Sequence, residues 1–257
     1  MPGDITLNTR QQSVLKYINE KEYASIKELA KEIGVSEATI RRDLDEMSQK
    51  EVLGRVHGGA IKLTGTSHEP FQEEKIGHMT EEKKRIAQYA SSLVKPGNSV
   101  FLDSGTTTLF IAEAIKNINN LTIITDNLDI AYNVQFDSSS TVIFTGGMIR
   151  RDYRVVVGQI AEDVISKFRV DISFVGCDAA DPDIGLYNVN YLEIGVKKAI
   201  LNCGRKTVLV ADHTKFNNCS LALVAPFDSV DCVICDSGLS QNIVSKIKRN
   251  KVELILC

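Results

Sequence analysis

The chain has 257 residues, 43% hydrophobic and 25% charged, with 30 Lys and Arg against 33 Asp and Glu and a formal net charge of -3. That is the profile of a globular protein of one large or two smaller domains, and its acidic balance argues against coating nucleic acid through bulk positive charge. No apolar run reaches the roughly 18 residues of a membrane-spanning helix, and no basic stretch followed by an apolar one marks a secretory signal.

Residues 9–50 carry helical periodicity. Val14, Leu15 and Ile18 form one stripe, Ile26, Leu29, Ala30 and Ile33 a second, and Ile40, Leu44 and Met47 a third. Spacings of three and four place each set on one helix face. Ser25 and Ser36 stand at helix N-cap positions, and Glu28, three residues after Ser25, completes a capping box. Gly34 separates the second helix from the third, so three short helices with a tight turn between the last two are expected.

The pattern changes at residue 52. Runs 52–56 and 60–63 are short and β-like, and His57-Gly58-Gly59 between them suits a hairpin turn. Residues 64–67 read as linker. From about residue 80, strand-like runs alternate with helical patterns such as 107–117 and 191–203. The runs 99–102, 121–124, 141–144, 172–175, 207–210, 232–234 and 252–255 are apolar on both faces, as buried parallel strands are. The expected organisation is a small winged helix-turn-helix domain over 1–64, a linker over 65–79 and an α/β domain with a mostly parallel sheet over 80–257.

The six cysteines are scattered. Only Cys232 and Cys235 are close, and on a strand two residues three apart face opposite sides. No second pair completes a zinc site, so buried inert thiols in a reducing cytoplasm are expected, with no metal or cofactor.

Ala30, Gly34 and Ile40 have the spacing of a helix-turn-helix. Ala30 lets the helices approach, Gly34 takes the turn, and Ile40 anchors the second helix. That helix presents Glu37, Thr39, Arg41, Arg42 and Asp45, and Arg is the usual bidentate reader of guanine. Ser36 can add a phosphate contact at the helix N-terminus, and Arg55 and His57 can reach phosphates or the minor groove. Residues 1–63 hold ten Lys and Arg and ten Asp and Glu, which also suits a three-helix interaction module with a solvated face.

Ile40-Arg41-Arg42-Asp43-Leu44 and Arg55-Val56-His57-Gly58-Gly59-Ala60 resemble the bacterial DeoR-type transcription regulators. Their pattern is an Arg-Arg-Asp-Leu recognition helix followed by a wing ending in His-Gly-Gly-Ala. The resemblance implies DNA contacts from Ser36, Thr39, Arg41 and Arg42 on the helix and from Arg55 and His57 on the wing. Glu37 and Asp45 then cap and solubilise more than they tune sequence choice.

Asp103-Ser104-Gly105-Thr106-Thr107-Thr108 follows a strand and opens a helix, where amides and hydroxyls can face an anion. An N-capped helix after a strand is the plainer reading. Thr125-Asp126-Asn127, Gly146-Gly147 and Cys177-Asp178 follow three further strands, and ligands of open α/β sheets gather at strand carboxyl ends. Glu193 and Lys197, four apart on a helix, can form a surface ion pair or point into a pocket. Lys215 follows another strand as a cation for phosphate. No Gly-x-x-x-x-Gly-Lys pattern is present, so a nucleoside triphosphate motor is not indicated.

These segments also match the DeoR-type effector domain, which is similar in fold to ribose-5-phosphate isomerase. The resemblance implies a sugar-phosphate site lined by Asp103, Ser104, Gly105, Thr106, Thr107, Thr125, Asp126, Asn127, Gly146, Gly147, Asp178, Glu193, Lys197 and Lys215. Residues 104–107 and Lys215 would hold the phosphate, and Asp103, Asp126 and Asp178 the sugar hydroxyls. Two positions depart from the family: Asp126 stands where Asn is common, and Tyr187 where Thr is.

The expected function is a DNA-binding regulator, a repressor of carbohydrate utilisation controlled by a phosphorylated sugar. It would act in the bacterial cytoplasm at the nucleoid as a homo-oligomer, dimer or tetramer, on a double-stranded operator, without a membrane partner. The competing readings are a sugar-phosphate isomerase using Asp178, Asp181, Glu193 and Lys197, and a protein-binding module with a vestigial helix-turn-helix. DNA attraction would rest on Arg41, Arg42 and Arg55, with Lys50 and Lys62 as further candidates. About four phosphate contacts per subunit give a salt slope near about -3.6.

Overall fold

A computed structural model describes residues 7–21, 23–50, 52–56, 58–61, 69, 72–217 and 220–257. His57, Lys62, Cys219 and residues 65–68, 70 and 71 of the expected linker lie outside them. The chain divides into two compact units, Met1–Glu74 and Lys75–Cys257.

The first unit contains α1 (Thr9–Lys21), β1 (Tyr23–Ser25), α2 (Ile26–Ile33), α3 (Glu37–Gln49), β2 (Gly54–Val56) and β3 (Gly59–Ile61). Val14, Ile18, Ile26, Leu29, Ile40, Leu44 and Met47 share one core, so the three stripes read from the sequence converge. Ser25 and Glu28 form the reciprocal capping box. Gly34 takes a φ of 74° and donates to Ala30 O at 3.0 Å, ending α2 in the left-handed conformation that glycine tolerates.

The wing differs from the expected hairpin. Gly59 is not in the turn; it is the first residue of β3, and β3 pairs antiparallel with both β2 and β1. A Cβ on Gly59 would lie 2.3 Å from Ala24 O, so glycine is needed where the two strands pass. The three-residue β1 carries too little periodicity to be read from sequence.

The helix α4 (Gln72–Gly77) spans the boundary between the units. There follow α5 (Thr80–Ser91), β4 (Ser99–Leu102), α6 (Thr106–Ile115), β5 (Thr122–Thr125), α7 (Leu128–Asn133), β6 (Thr141–Phe144), β7 (Met148–Arg150) and β8 (Val155–Val157). Next come α8 (Gln159–Ile165), β9 (Val170–Val175), β10 (Ala179–Asp181), β11 (Gly185–Asn188), α9 (Ile194–Cys203) and β12 (Gly204–Val210). The chain ends with β13 (Ala222–Pro226), β14 (Cys232–Cys235), α10 (Gln241–Arg249) and β15 (Glu253–Leu256).

The seven strand-like runs read from the sequence are the seven strands of one parallel sheet, ordered β15-β14-β12-β9-β4-β5-β6. Alternate residues feed two cores. Val100, Leu102, Ile123, Phe174 and Val208 pack under α5 and α6, while Phe101, Ile124, Val175 and Leu209 pack under α8, α9 and α10. Cys232 lies in the first core and Cys235 in the second, on opposite faces as the strand period requires. From β4 the chain builds outward through β5 and β6, then returns to place β9 on the other side of β4. The carboxyl ends of β4 and β9 therefore flank the topological switch point, where open α/β sheets leave a crevice. The β7–β8 hairpin and the antiparallel β10-β11-β13 sheet were not expected. Among the described residues no helix is long and apolar enough to cross a membrane.

Candidate functional site

Two surfaces carry chemistry, one in each unit. On α3, Ser36 accepts the N–H of Thr39 at 3.2 Å, and the two hydroxyls lie 2.9 Å apart. Arg41 and Arg42 are exposed. Arg41 reaches Glu37 only at 3.4 Å, and Arg42 has no ion pair among the described residues. Arg55 is more committed. Its guanidinium donates to Asp45 at 2.9 Å and to Gly59 O at 2.8 Å, tying the wing to α3. Asp43, in the Arg-Arg-Asp-Leu segment, points inward and accepts from Arg10 of α1 at 2.5 and 2.9 Å. A carboxylate three residues after Ile40 falls on the buried stripe, which is the sequence signal for this clamp.

At the switch point, Asp103 follows β4 and is wholly buried. One of its oxygens accepts from Gly176 N at 2.8 Å and from Lys197 Nζ at 2.5 Å. Lys197 also donates to Gly176 O at 3.0 Å, which ties α9 to the carboxyl end of β9. Burial opposes the Lys197 charge, but Asp103 and Glu193 hold its pKa above the ordinary lysine range. Glu193 accepts from Arg150 and, at 2.7 Å, from Asn188 Nδ2. The surface ion pair allowed by the four-residue spacing of Glu193 and Lys197 does not form; both are buried and each takes another partner.

Asp126 follows β5 and is 1% exposed, with no partner for either carboxylate oxygen. Burial, then the Asp103 charge, push its carboxyl well above the usual range. Its neighbours serve the fold as well. Thr125 donates to Leu102 O at 2.7 Å and accepts Asn127 N–H at 3.1 Å, which uses its hydroxyl inside the sheet. Asn127 caps α7 through Oδ1 at 3.0 Å. The β7–β8 hairpin docks on this loop, with Val156 N donating to Asp126 O at 3.0 Å. Gly147, at φ 135°, lets the hairpin pass, since a Cβ there would meet Val157 O at 3.0 Å.

Ser104 and Gly105 are half-buried ahead of α6, whose N-terminus has no side-chain cap. Thr106 and Thr107 are buried beside them, whereas Thr108 turns inward to Asp103 O at 2.6 Å. Beyond β9, Asp178 accepts from Lys75 at 2.9 Å and from Val189 N at 3.0 Å. Burial opposes its charge, but Lys75 and Lys215 hold Asp178 below the usual carboxylate range. Lys215 is half-buried in the turn His213–Asn217 and has no salt bridge among the described residues. Burial pushes the Cys177 thiol up to about 12, so it is not a nucleophile at neutral pH.

Sequence reasoning missed Lys75, Lys83, Thr145, Arg150 and Asn188. Lys83 is buried and donates to the carbonyls of Lys75 and His78. Burial, followed by Lys215 and Lys75 nearby and offset by Asp212, lowers its pKa to about 8. It precedes Ile86, Ala87 and Ala90 by three, four and seven residues, and a lysine on an apolar stripe was its signal. No group of three or more His, Cys, Asp or Glu that could hold a metal ion occurs among the described residues.

One observation unites the edge. Among the described residues seven buried side-chain polar atoms lack a partner. Six lie on the loops after β4, β5 and β6 and at the end of β11: Asp103 Oδ1, both Asp126 oxygens, Asn127 Nδ2, Thr145 Oγ1 and Asn188 Oδ1. The seventh, Ser220 Oγ, lies elsewhere in the chain.

A model of the DeoR C terminal sensor domain matches residues 78–237, and one of the DeoR-like helix-turn-helix domain matches residues 10–66. The chain belongs to the DeoR family. This DeoR-type regulator is 35% identical over 247 residues to an uncharacterized HTH-type transcriptional regulator of Haemophilus influenzae, covering 96% of each chain. It is 32% identical over 248 residues to the glycerol-3-phosphate regulon repressor of Escherichia coli, covering 96% of this chain and 98% of that protein. Among solved structures, ribose 5-phosphate isomerase A of Methanocaldococcus jannaschii aligns with a TM-score of 0.40 at 16% identity, over 54% of this chain and 55% of that one. The DeoR-family chain is thus a transcriptional regulator with a helix-turn-helix unit and a sensor domain.

Proposed function

We propose that this regulator represses transcription from a double-stranded operator and changes its DNA affinity when a small phosphorylated sugar or polyol enters the switch-point crevice. The six unpartnered polar atoms carry the reading. An unsatisfied buried donor or acceptor costs about 1–3 kcal/mol, and a hydroxyl-rich ligand would satisfy several at once. The half-buried Lys215, with Ser104, Gly105, Thr106 and Thr107 at the start of α6, would take the phosphate. Asp103, Asp126, Asn127, Glu193 and Lys197 would face the sugar, with Gly146 and Gly147 shaping the wall. Thr125 and Asp178 would hold the loops in place.

On DNA, Ser36, Thr39, Arg41 and Arg42 would enter the major groove, and Arg55, which braces the wing, and His57 would add further contacts. The domains would run over 1–64 and 80–257 with 65–79 between them, and two copies would present paired half-sites. A phosphorylated effector agrees with the printed name of the Escherichia coli relative. Catalysis is disfavoured, because Asp178 is engaged by Lys75 and the Val189 amide and is not a free base.

Footprinting with and without a panel of sugar and polyol phosphates tests the proposal. At least one ligand should shift operator occupancy, and Arg41→Ala should lose about 1–3 kcal/mol of binding and relax sequence preference. Occupancy unchanged across the whole panel would sink the sensor reading, and duplex binding unaffected by Arg41→Ala would sink the assigned reading helix.

A further inference from the structure

We infer that Asp126 is the specificity-determining residue of the effector site and selects a ligand carrying a protonated amine at the end remote from its phosphate. This rests on the phosphorylated-ligand reading above.

The inference starts from the kinds of unpartnered atoms at the site. Asp103 Oδ1, both Asp126 oxygens and Asn188 Oδ1 are acceptors, against one amide donor on Asn127 and one hydroxyl on Thr145 that can serve either way. The crevice is short of donors. A phosphate, carboxylate or carbonyl would leave those acceptors unmet, so the anionic end of a ligand lies away from Asp126, toward Lys215. The charges point to which donor. Asp103 is matched by Lys197 and Glu193 by Arg150, both as direct pairs. Asp126 alone has no counter-charge in contact, and its two oxygens are buried and unbonded. An ammonium supplies several donors and the missing cation together. It also offsets the burial and the Asp103 and Glu193 charges that push the Asp126 carboxyl upward, which the nearby Lys197 opposes only in part. A hydroxyl meets the hydrogen bonds without the charge.

The test compares matched ligands, glucosamine 6-phosphate and glucose 6-phosphate, on the full-length protein and on Asp126→Asn by calorimetry. Asn keeps the shape and removes the charge. The wild type should bind the amine tighter by about 10- to 100-fold, the range of a charge-assisted hydrogen bond, and Asp126→Asn should abolish or invert that ratio. Equal affinities in the wild type, or a ratio that survives the substitution, would overturn the inference while leaving a phosphorylated-ligand site. No binding of these or any other phosphate ester, with both proteins melting cooperatively, would remove the site itself. A misfolded Asp126→Asn leaves the wild-type ratio as a decisive readout.

Discussion

The two units treat buried polar groups in opposite ways. In the first, both buried polar side chains among the described residues are answered: Gln11 by Glu46 at 2.8 Å, and Asp43 by two bonds from Arg10. In the second, the carboxyl edge of the sheet keeps six buried atoms unanswered. The first pattern leaves no buried side-chain polar atom unmet around α3 among the described residues. The second retains desolvation cost at one place, so a ligand that supplies the missing partners gains what folding left unmet. A sensor needs such a difference, because an effector shifts an equilibrium only by its differential affinity for two states.

The contrast can be broken in three ways. The largest effect is expected for Lys197→Met, which leaves Asp103 buried without its cation. Removing one partner of a buried pair costs about 3–5 kcal/mol, read as a lowered urea midpoint. A shift as small as that of a surface pair would show that water already reaches Asp103.

Next is the pH dependence set by Lys83, whose pKa falls from 10.5 to about 8 on folding through burial first. Between those values the unfolded chain binds more protons, so stability rises with pH. The wild type should therefore gain about 2 kcal/mol relative to Lys83→Met between pH 7.5 and 10. Thermal melts of the two proteins with a constant gap would remove the buried ammonium from this account. The smallest effect is expected for Arg10→Met. It also strips a cation from a buried carboxylate, but the Arg10 side chain is 40% exposed and water can replace it. A midpoint shift matching that of Lys197→Met would erase the distinction between the units.

The Gly59 position shows where local reading stops. Paired glycines after His57 suggested a turn, yet Gly59 is set by the backbone of Ala24, a strand that adjoins it only in three dimensions. Glu193 and Lys197 show the same limit. Four residues apart in sequence, they satisfied a local rule for pairing, yet Glu193 precedes α9 and each took a partner from another part of the chain: Arg150, 43 residues away, and Asp103, 94 away.

The sequence alone determined the seven sheet strands and the three N-terminal helices, with the caps of the second and third. Periods of two and 3.6 are local, and burying an apolar face demands them wherever the chain lies. Tertiary structure decided which carboxylates are paired and which remain bare. It brought Lys75 to Asp178 across 103 residues, turned Asp43 inward, committed Arg55 to Asp45, and left Asp126 buried beyond β5 with two unmet oxygens. Charge partnership depends on distance and burial after folding, and no spacing along the chain encodes either.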